Sequence, residues 1–192
     1  MNLKVIAGSA KKTNLKFVTK YTRPLSSRAK SALFSIITPI IPGSIVLDLY
    51  AGSGALGIEA LSRGALYAEF VDIERTVTAV IKENLKKTKL EEKAEVLTMP
   101  AQIYLRNMKN QGSNNQNPRN YKLFDIIFIF QPYEITDTKI IREASRVLSN
   151  DGIVIFEKEA KRDIEKVKGF EIIETRHYGN IGLVFYKKQN KN

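Results

Sequence analysis

Residues 46–57 read Val-Leu-Asp-Leu-Tyr-Ala-Gly-Ser-Gly-Ala-Leu-Gly: an apolar strand with Asp48 near its end, a tight glycine turn, and an Ala/Leu-rich helix start. Gly52 permits the turn, Gly54 lets the backbone approach a ligand, and Gly57 lets the helix pack against the strand, while the amides of the helix start face what is bound. A glycine pattern alone is weak. Here it lies between a strand and a helix, and a second acid, Asp72, closes the next strand at the spacing of a ribose contact.

Asp48 discriminates between cofactor classes. A dinucleotide lays its pyrophosphate against the helix start, where a carboxylate repels it. S-adenosylmethionine carries an ammonium and a sulfonium and no phosphate, so the same carboxylate attracts it. The pairing of Asp48 with Gly52 and Gly54 favours the methyl donor, with NAD as the alternative.

Outward from this turn the chain alternates. Strands are expected at 45–50, 67–72, 94–98, 124–130 and 152–157, and helices at 55–63, 75–88, 101–109 and 136–148, the last stopped by Gly152. Two further strands, 170–177 and 181–186, are joined by Tyr178-Gly179-Asn180 as an antiparallel pair. The expected fold is α/β and Rossmann-like: a seven-stranded, mostly parallel sheet whose last strand is antiparallel, with an N-terminal β-hairpin extension.

The hairpin is read from Leu3–Ala7 and Leu15–Thr19, with a basic tip between them. A helix opens at Arg23-Pro24 and runs to Thr38, with Ala29, Leu33, Ile36 and Ile37 on one face and Arg28 and Lys30 pointing elsewhere. Pro39 and Pro42 end it. Residues 110–120 read as a polar surface loop within the domain. The expected organisation is a catalytic domain over 45–187, a docking extension of that domain over 1–44, and a frayed tail over 188–192.

Composition narrows the chemistry. At 192 residues and 43% hydrophobic, the chain suits a single globular domain. There is no cysteine, which excludes disulfides, thiolate metal sites and a cysteine nucleophile, and His177 is the only histidine, which argues against a zinc centre or a histidine triad. Without an apolar leader or a membrane-length run, the expectation is a soluble cytoplasmic protein with no metal and no membrane partner.

The net charge of +11 is unevenly placed. Residues 1–47 contain no acid and eight of the 31 basic residues, so all 20 acidic residues follow the hairpin and first helix. A charge run is usually just a solvated face. Complete absence of acids ahead of a cofactor loop instead suits a polyanion-docking surface.

Thr22-Arg23-Pro24-x-Ser26-x-Arg28, Ala32-Leu33-Phe34 and the run from Val46 through Gly57-Ile58-Glu59-Ala60-Leu61-Ser62-Arg63-Gly64-Ala65 resemble the RsmD-type methyltransferases. The likeness extends from Ile6-Ala7-Gly8 to Tyr178-Gly179. It implies a class I S-adenosylmethionine-dependent fold and methylation of a guanine N2 in 16S ribosomal RNA, with that RNA or the small ribosomal subunit as partner and a monomeric protein. By the same resemblance Asp48, Tyr50, Gly52 and Gly54 would surround the methionine moiety, Asp72 the ribose, Ile73 the adenine face, and Ala101 would complete the cofactor strip. Lys11, Lys12, Lys16, Arg23 and Arg28 would hold RNA, and Gln131, Pro132 and Tyr133 would face the base.

Two departures fall on functional points. The family ends its fourth strand with Asp/Asn-Pro-Pro-Tyr/Phe, and the matching residues here are Phe130-Gln131-Pro132-Tyr133. A guanine amine is a poor nucleophile until acceptors hold its hydrogens and turn its lone pair toward the methyl group; Phe130 offers no acceptor. Gln131 could substitute only through a local bulge or turn, since adjacent strand residues face opposite ways. The second departure is Met99-Pro100-Ala101 in place of Gly-Asp-Ala, where Pro100 cannot accept a hydrogen bond from the adenine amine. A catalytically weakened RNA-binding or ribosome-assembly protein on the same scaffold is therefore the rival expectation.

Overall fold

The computed structural model describes residues 3–19, 25–110, 123–132 and 137–189. Nine strands and five α-helices are assigned among them: β1 Leu3–Lys4, β2 Asn14–Leu15, α1 Ser27–Ile37, β3 Ile45–Leu49, α2 Ala55–Ser62, β4 Tyr67–Asp72, α3 Arg75–Thr88, β5 Ala94–Thr98, α4 Ala101–Asn110, β6 Phe124–Ile129, α5 Lys139–Ala144, β7 Leu148–Glu159, β8 Phe170–Tyr178 and β9 Ile181–Lys188. Seven strands form one sheet in the order β5-β4-β3-β6-β7-β9-β8. The pairs β4/β5, β3/β4, β3/β6 and β6/β7 are parallel, and β9 runs antiparallel to both its neighbours.

The sheet divides two cores. One face, with Val46, Ala68, Phe70, Ile126, Phe128 and Ile155, packs against α1, α2, α3 and the N-terminal hairpin. The other, with Leu47, Leu49, Val71, Ile127, Ile129 and Val154, packs against α4 and α5. β3, β4 and β6 are buried at nearly every position and mostly apolar because both faces are covered, as parallel sheets require. Leu3, Val5, Ala10 and Leu15 of the hairpin belong to the first core.

The hairpin is shorter in regular strand than its sequence suggests. The strands expected over 3–7 and 15–19 shrink to two residues each, because neighbouring backbone groups bond elsewhere. Ile6 and Ala7 donate their N–H groups to the Glu59 carboxylate at 2.7 and 2.9 Å, and Lys16 donates its N–H to Asn84 Oδ1 at 2.8 Å. Glu59 sits on α2, whose eight residues are all buried, one side under the sheet and the other under the hairpin.

Other boundaries also move. α1 begins at Ser27 because Ser26 Oγ accepts from Ala29 N–H at 3.2 Å, an N-cap; Arg23-Pro24, expected to open this helix, lies outside the described residues, as do residues 111–120 of the expected loop. The helix expected over 136–148 is only Lys139–Ala144: Phe124 N–H bonds Val147 O at 2.7 Å and Leu148 pairs with Phe124, so the sheet claims this segment. Gly152 consequently lies inside β7 and is not a helix stop. Lys188, placed in the expected tail, is the last residue of β9, and Gln189 N–H still bonds Gly169 O at 3.0 Å.

Candidate active site

Strand order reverses between β3 and β6: the chain proceeds from β3 to β4 and β5 on one side, then returns to β6 and β7 on the other. Loops leaving the carboxyl ends of strands at such a point splay apart and leave a crevice, the usual ligand site of open α/β sheets. Tyr50, Gly52 and Gly54 follow β3, Asp72 and Ile73 end β4, Ala101 follows β5, and Gln131 and Pro132 follow β6. All of these expected site residues therefore share one rim.

The turn after β3 is built from left-handed backbone. Tyr50, Gly52 and Gly54 have φ of 59°, 55° and 72°. At Gly54 a Cβ would meet Ile81 Cγ2 at 3.1 Å and Phe70 Cε1 at 3.3 Å, so this glycine is demanded by backbone conformation and core packing rather than by ligand approach alone. Gly57 lets α2 come close to the sheet, against β4 rather than the strand that precedes the turn: a Cβ there would stand 2.3 Å from the Phe70 ring.

Two carboxyls lock the turn. Asp48 is 1% exposed and accepts from Gly57 N–H at 3.0 Å, and Asp72 accepts from Gly52 N–H at 2.9 Å and Glu74 N–H at 3.0 Å. Burial pushes the Asp48 carboxyl up to about 8; the Gly57 amide opposes this and the neighbouring Asp72 charge adds to it. Burial likewise raises Asp72, against the amides of Glu74 and Gly52. A cation beside Asp48 would restore its charge, whereas a pyrophosphate would oppose it, so the pair fits the charge of S-adenosylmethionine. Next to Asp72, Ile73 is 61% exposed, an apolar side chain on the rim with room for a flat ring against it.

The segment after β6 is arranged differently from its sequence expectation. Gln131 is buried, its Oε1 accepts from Asp137 N–H at 3.0 Å, and its Nε2 donates to Tyr50 Oη at 3.1 Å. A backbone N–H can only donate, which fixes the amide orientation. Gln131 thus ties the β3 turn to the start of α5, and its side-chain oxygen is already engaged. Gln102 Nε2 also donates to Tyr50 Oη, at 3.0 Å. Phe130 packs edge-on against Phe128, 6.3 Å between centroids, and toward the α1 face. Tyr133 lies outside the described residues. Pro100 precedes α4 and its carbonyl accepts from Tyr104 N–H at 3.0 Å, while the Ala101 methyl is buried in the second core.

Of the expected RNA contacts, Lys11, Lys12 and Arg28 are exposed, and Arg23 is outside the described residues. Lys16 is exposed but paired with Glu83 at 2.7 Å. Lys30, expected to point away from the core, is instead 2% exposed, 3.1 Å from Glu59, and donates to Lys4 O at 2.6 Å; it fastens the hairpin and is no docking residue. Gln102, Glu59 and Asn84 bond the rim and the hairpin, and sequence reasoning misses all three. Glu59 alone has a signal, as the single acid in an otherwise apolar helix. A separate cavity of about 180 Å³ beside α5 and β7, bounded by Thr138, Phe156, Lys158 and Tyr186, includes no residue of the glycine turn. Among the described residues no acid or histidine cluster could hold a metal, and no helix is long and apolar enough to cross a membrane.

The profile of the family described as conserved hypothetical protein 95 matches residues 3–187. The chain belongs to this family, the RsmD type. Among relatives of the RsmD type, YlbH of Bacillus subtilis, provisionally named an rRNA methyltransferase, is 33% identical over 193 residues, covering 97% of this chain and 100% of YlbH. Ribosomal RNA small subunit methyltransferase D of Escherichia coli K12 is 29% identical over 171 residues, covering 87% of this chain and 80% of the relative. The solved structure of yhhF from Escherichia coli, provisionally described as a methyltransferase, superposes with a TM-score of 0.82 over 100% of both chains at 23% identity, a likeness of fold. The Rossmann-like sheet expected for an RsmD-type protein is thus the fold observed.

Proposed function

We propose that the protein transfers a methyl group from S-adenosylmethionine to a guanine N2 of 16S ribosomal RNA, as a cytoplasmic monomer acting without a metal. The observation that carries this reading is the buried Asp48 carboxyl beside the glycine turn, joined through that turn to Asp72: a cation-seeking floor with a ribose-height acid at its edge. S-adenosylmethionine, when bound, supplies an electrophilic methyl carbon. In this reading Asp48 and the turn from Tyr50 to Gly54 hold the charged amino-acid end. Each Asp72 oxygen already takes one backbone N–H and keeps a lone pair for a ribose hydroxyl. Ile73 covers the adenine. Lys11, Lys12 and Arg28, with Arg23, hold phosphates and position the RNA without reading sequence. The backbone carbonyl of Gln131 accepts one hydrogen of the guanine amine, and Tyr133 stacks on the flipped base.

One observation favours a second reading, an RNA-binding protein with little activity: Phe130 has no side-chain acceptor, and the Gln131 side chain is held between Asp137 N–H and Tyr50 Oη. Labelled methyl transfer to small ribosomal subunits lacking guanine N2 methylation, with mapping of the product, separates the two. Label at one guanine supports the enzyme. Subunit binding without label establishes the second reading.

A further inference from the structure

Asn84, on the buried face of α3, is 0% exposed and uses its whole amide. Its Oδ1 accepts from Lys16 N–H at 2.8 Å, and its Nδ2 donates to Lys16 O at 2.9 Å and to Ser53 O at 3.0 Å. The Lys16 N–H fixes the orientation of the amide, because it can pair only with the oxygen. One side chain therefore pairs with the hairpin as a strand would and simultaneously grips the middle residue of the Gly52-Ser53-Gly54 turn. The clamps from α2, Glu59 to Ile6 and Ala7 and Ser62 to Ala7 and Ala10, and those from Lys30 to Lys4 O and Lys87 to Asn14 O, hold the hairpin without a bond to that turn.

We infer that Asn84 is a positioning residue that fixes the basic hairpin and the cofactor turn in one frame, so that RNA bound at the first changes affinity at the second. The two ligands are those of the proposed function, on which this inference rests. The mechanical link does not depend on them. A fully desolvated amide with three short bonds has no water to replace a lost partner, so displacement of Lys16 must be taken up at Ser53 or leave a buried polar group unmatched.

The test uses the full chain and three variants. Asn84→Ala removes all three bonds. Asn84→Asp keeps acceptance from Lys16 N–H; its carboxyl, buried as that of Asp48 is, stays protonated and has one O–H for the two carbonyls, so it gives up one donation and leaves a folded comparison if alanine unfolds the protein. Lys87→Ala is the control: Lys87 Nζ donates to Asn14 O at 2.7 Å and so tethers the hairpin without reaching the turn. Amide hydrogen exchange, which needs no ligand, is expected to accelerate at least about tenfold at both 15–17 and 52–55 in the Asn84 variants, and only at the hairpin in Lys87→Ala. Calorimetry with S-adenosylhomocysteine, with and without saturating 16S RNA, is expected to show an RNA-dependent affinity change of about fivefold or more in the parent that is clearly reduced in Asn84→Asp. Unaltered exchange at 52–55 in both Asn84 variants, or coupling undiminished in Asn84→Asp, overturns the inference. A parent that binds neither ligand sinks the functional reading instead, and exchange then decides the link by itself.

Discussion

Phe130 has no side-chain acceptor where the resemblance to RsmD-type proteins leads one to expect an acid or amide, while the carbonyl of the next residue remains. Phe130→Asp is expected to raise methyl transfer to subunits by on the order of 100- to 1,000-fold, the usual worth of one preorganised transition-state hydrogen bond; no change in rate would show that the defect lies elsewhere. Asp48 gives a second expectation. Its carboxyl ionises near 3.8 in the unfolded chain and about 8 in the folded one, so between these values the folded state keeps a proton the unfolded state has lost. The stability tied to that proton is full below the lower value and gone above the upper. Thermal unfolding scans from about pH 5 to about pH 8 should show Tm falling more steeply for the parent than for Asp48→Asn, while the variant binds S-adenosylmethionine more weakly. Parallel pH slopes for the two proteins would contradict the burial argument. Gly57→Ala drives a methyl into the Phe70 ring and is expected to cost about 1–3 kcal/mol in urea titration.

Among the elements, α2 carries the hairpin. Its Glu59 takes Ile6 and Ala7 amides, Lys30 and Arg63, the last at 2.8 Å. Glu59→Ala strands the Lys30 ammonium in the core and is expected to cost about 3–5 kcal/mol, with early protease cuts in residues 3–19; a hairpin that stays protected would refute this. The same helix shows where sequence reading stops. Strand 67–72, helix 75–88 and strand 94–98 are legible to the residue, and in the helix the apolar spacing of Val77, Ile81 and Leu85 is also its buried face. Glu59 to Ile6 and Asn84 to Lys16 span 53 and 68 residues, and no local pattern announces a partner that distant. Gln131 escapes sequence reading for a related reason: its environment is made by Tyr50 and Asp137, from two other segments. The rim itself is readable, since the glycine turn and Asp72 each sit directly at a strand end.

Across the whole molecule, charge separates into a basic front and a nearly balanced remainder, with Lys30 withdrawn inside and Lys16 shared with Glu83. Exposed Lys11 and Lys12 remain available as counterions to phosphate. Replacing both with alanine should lower the slope of log affinity for RNA against log salt by about 0.7 for each phosphate that is no longer neutralised, leaving S-adenosylhomocysteine binding in place. An unchanged slope in filter-binding titrations would move the docking face elsewhere. The sheet's own order carries a temporal consequence. β9 is later in the chain than every strand it joins, yet it lies between β7 and β8, and its Leu183, Val184 and Phe185 are fully enclosed. During synthesis the edge of β7, with Ile153 to Phe156, must therefore wait uncovered until residue 188 has left the ribosome, and a chain that stalls earlier presents that apolar edge to its neighbours as a template for aggregation.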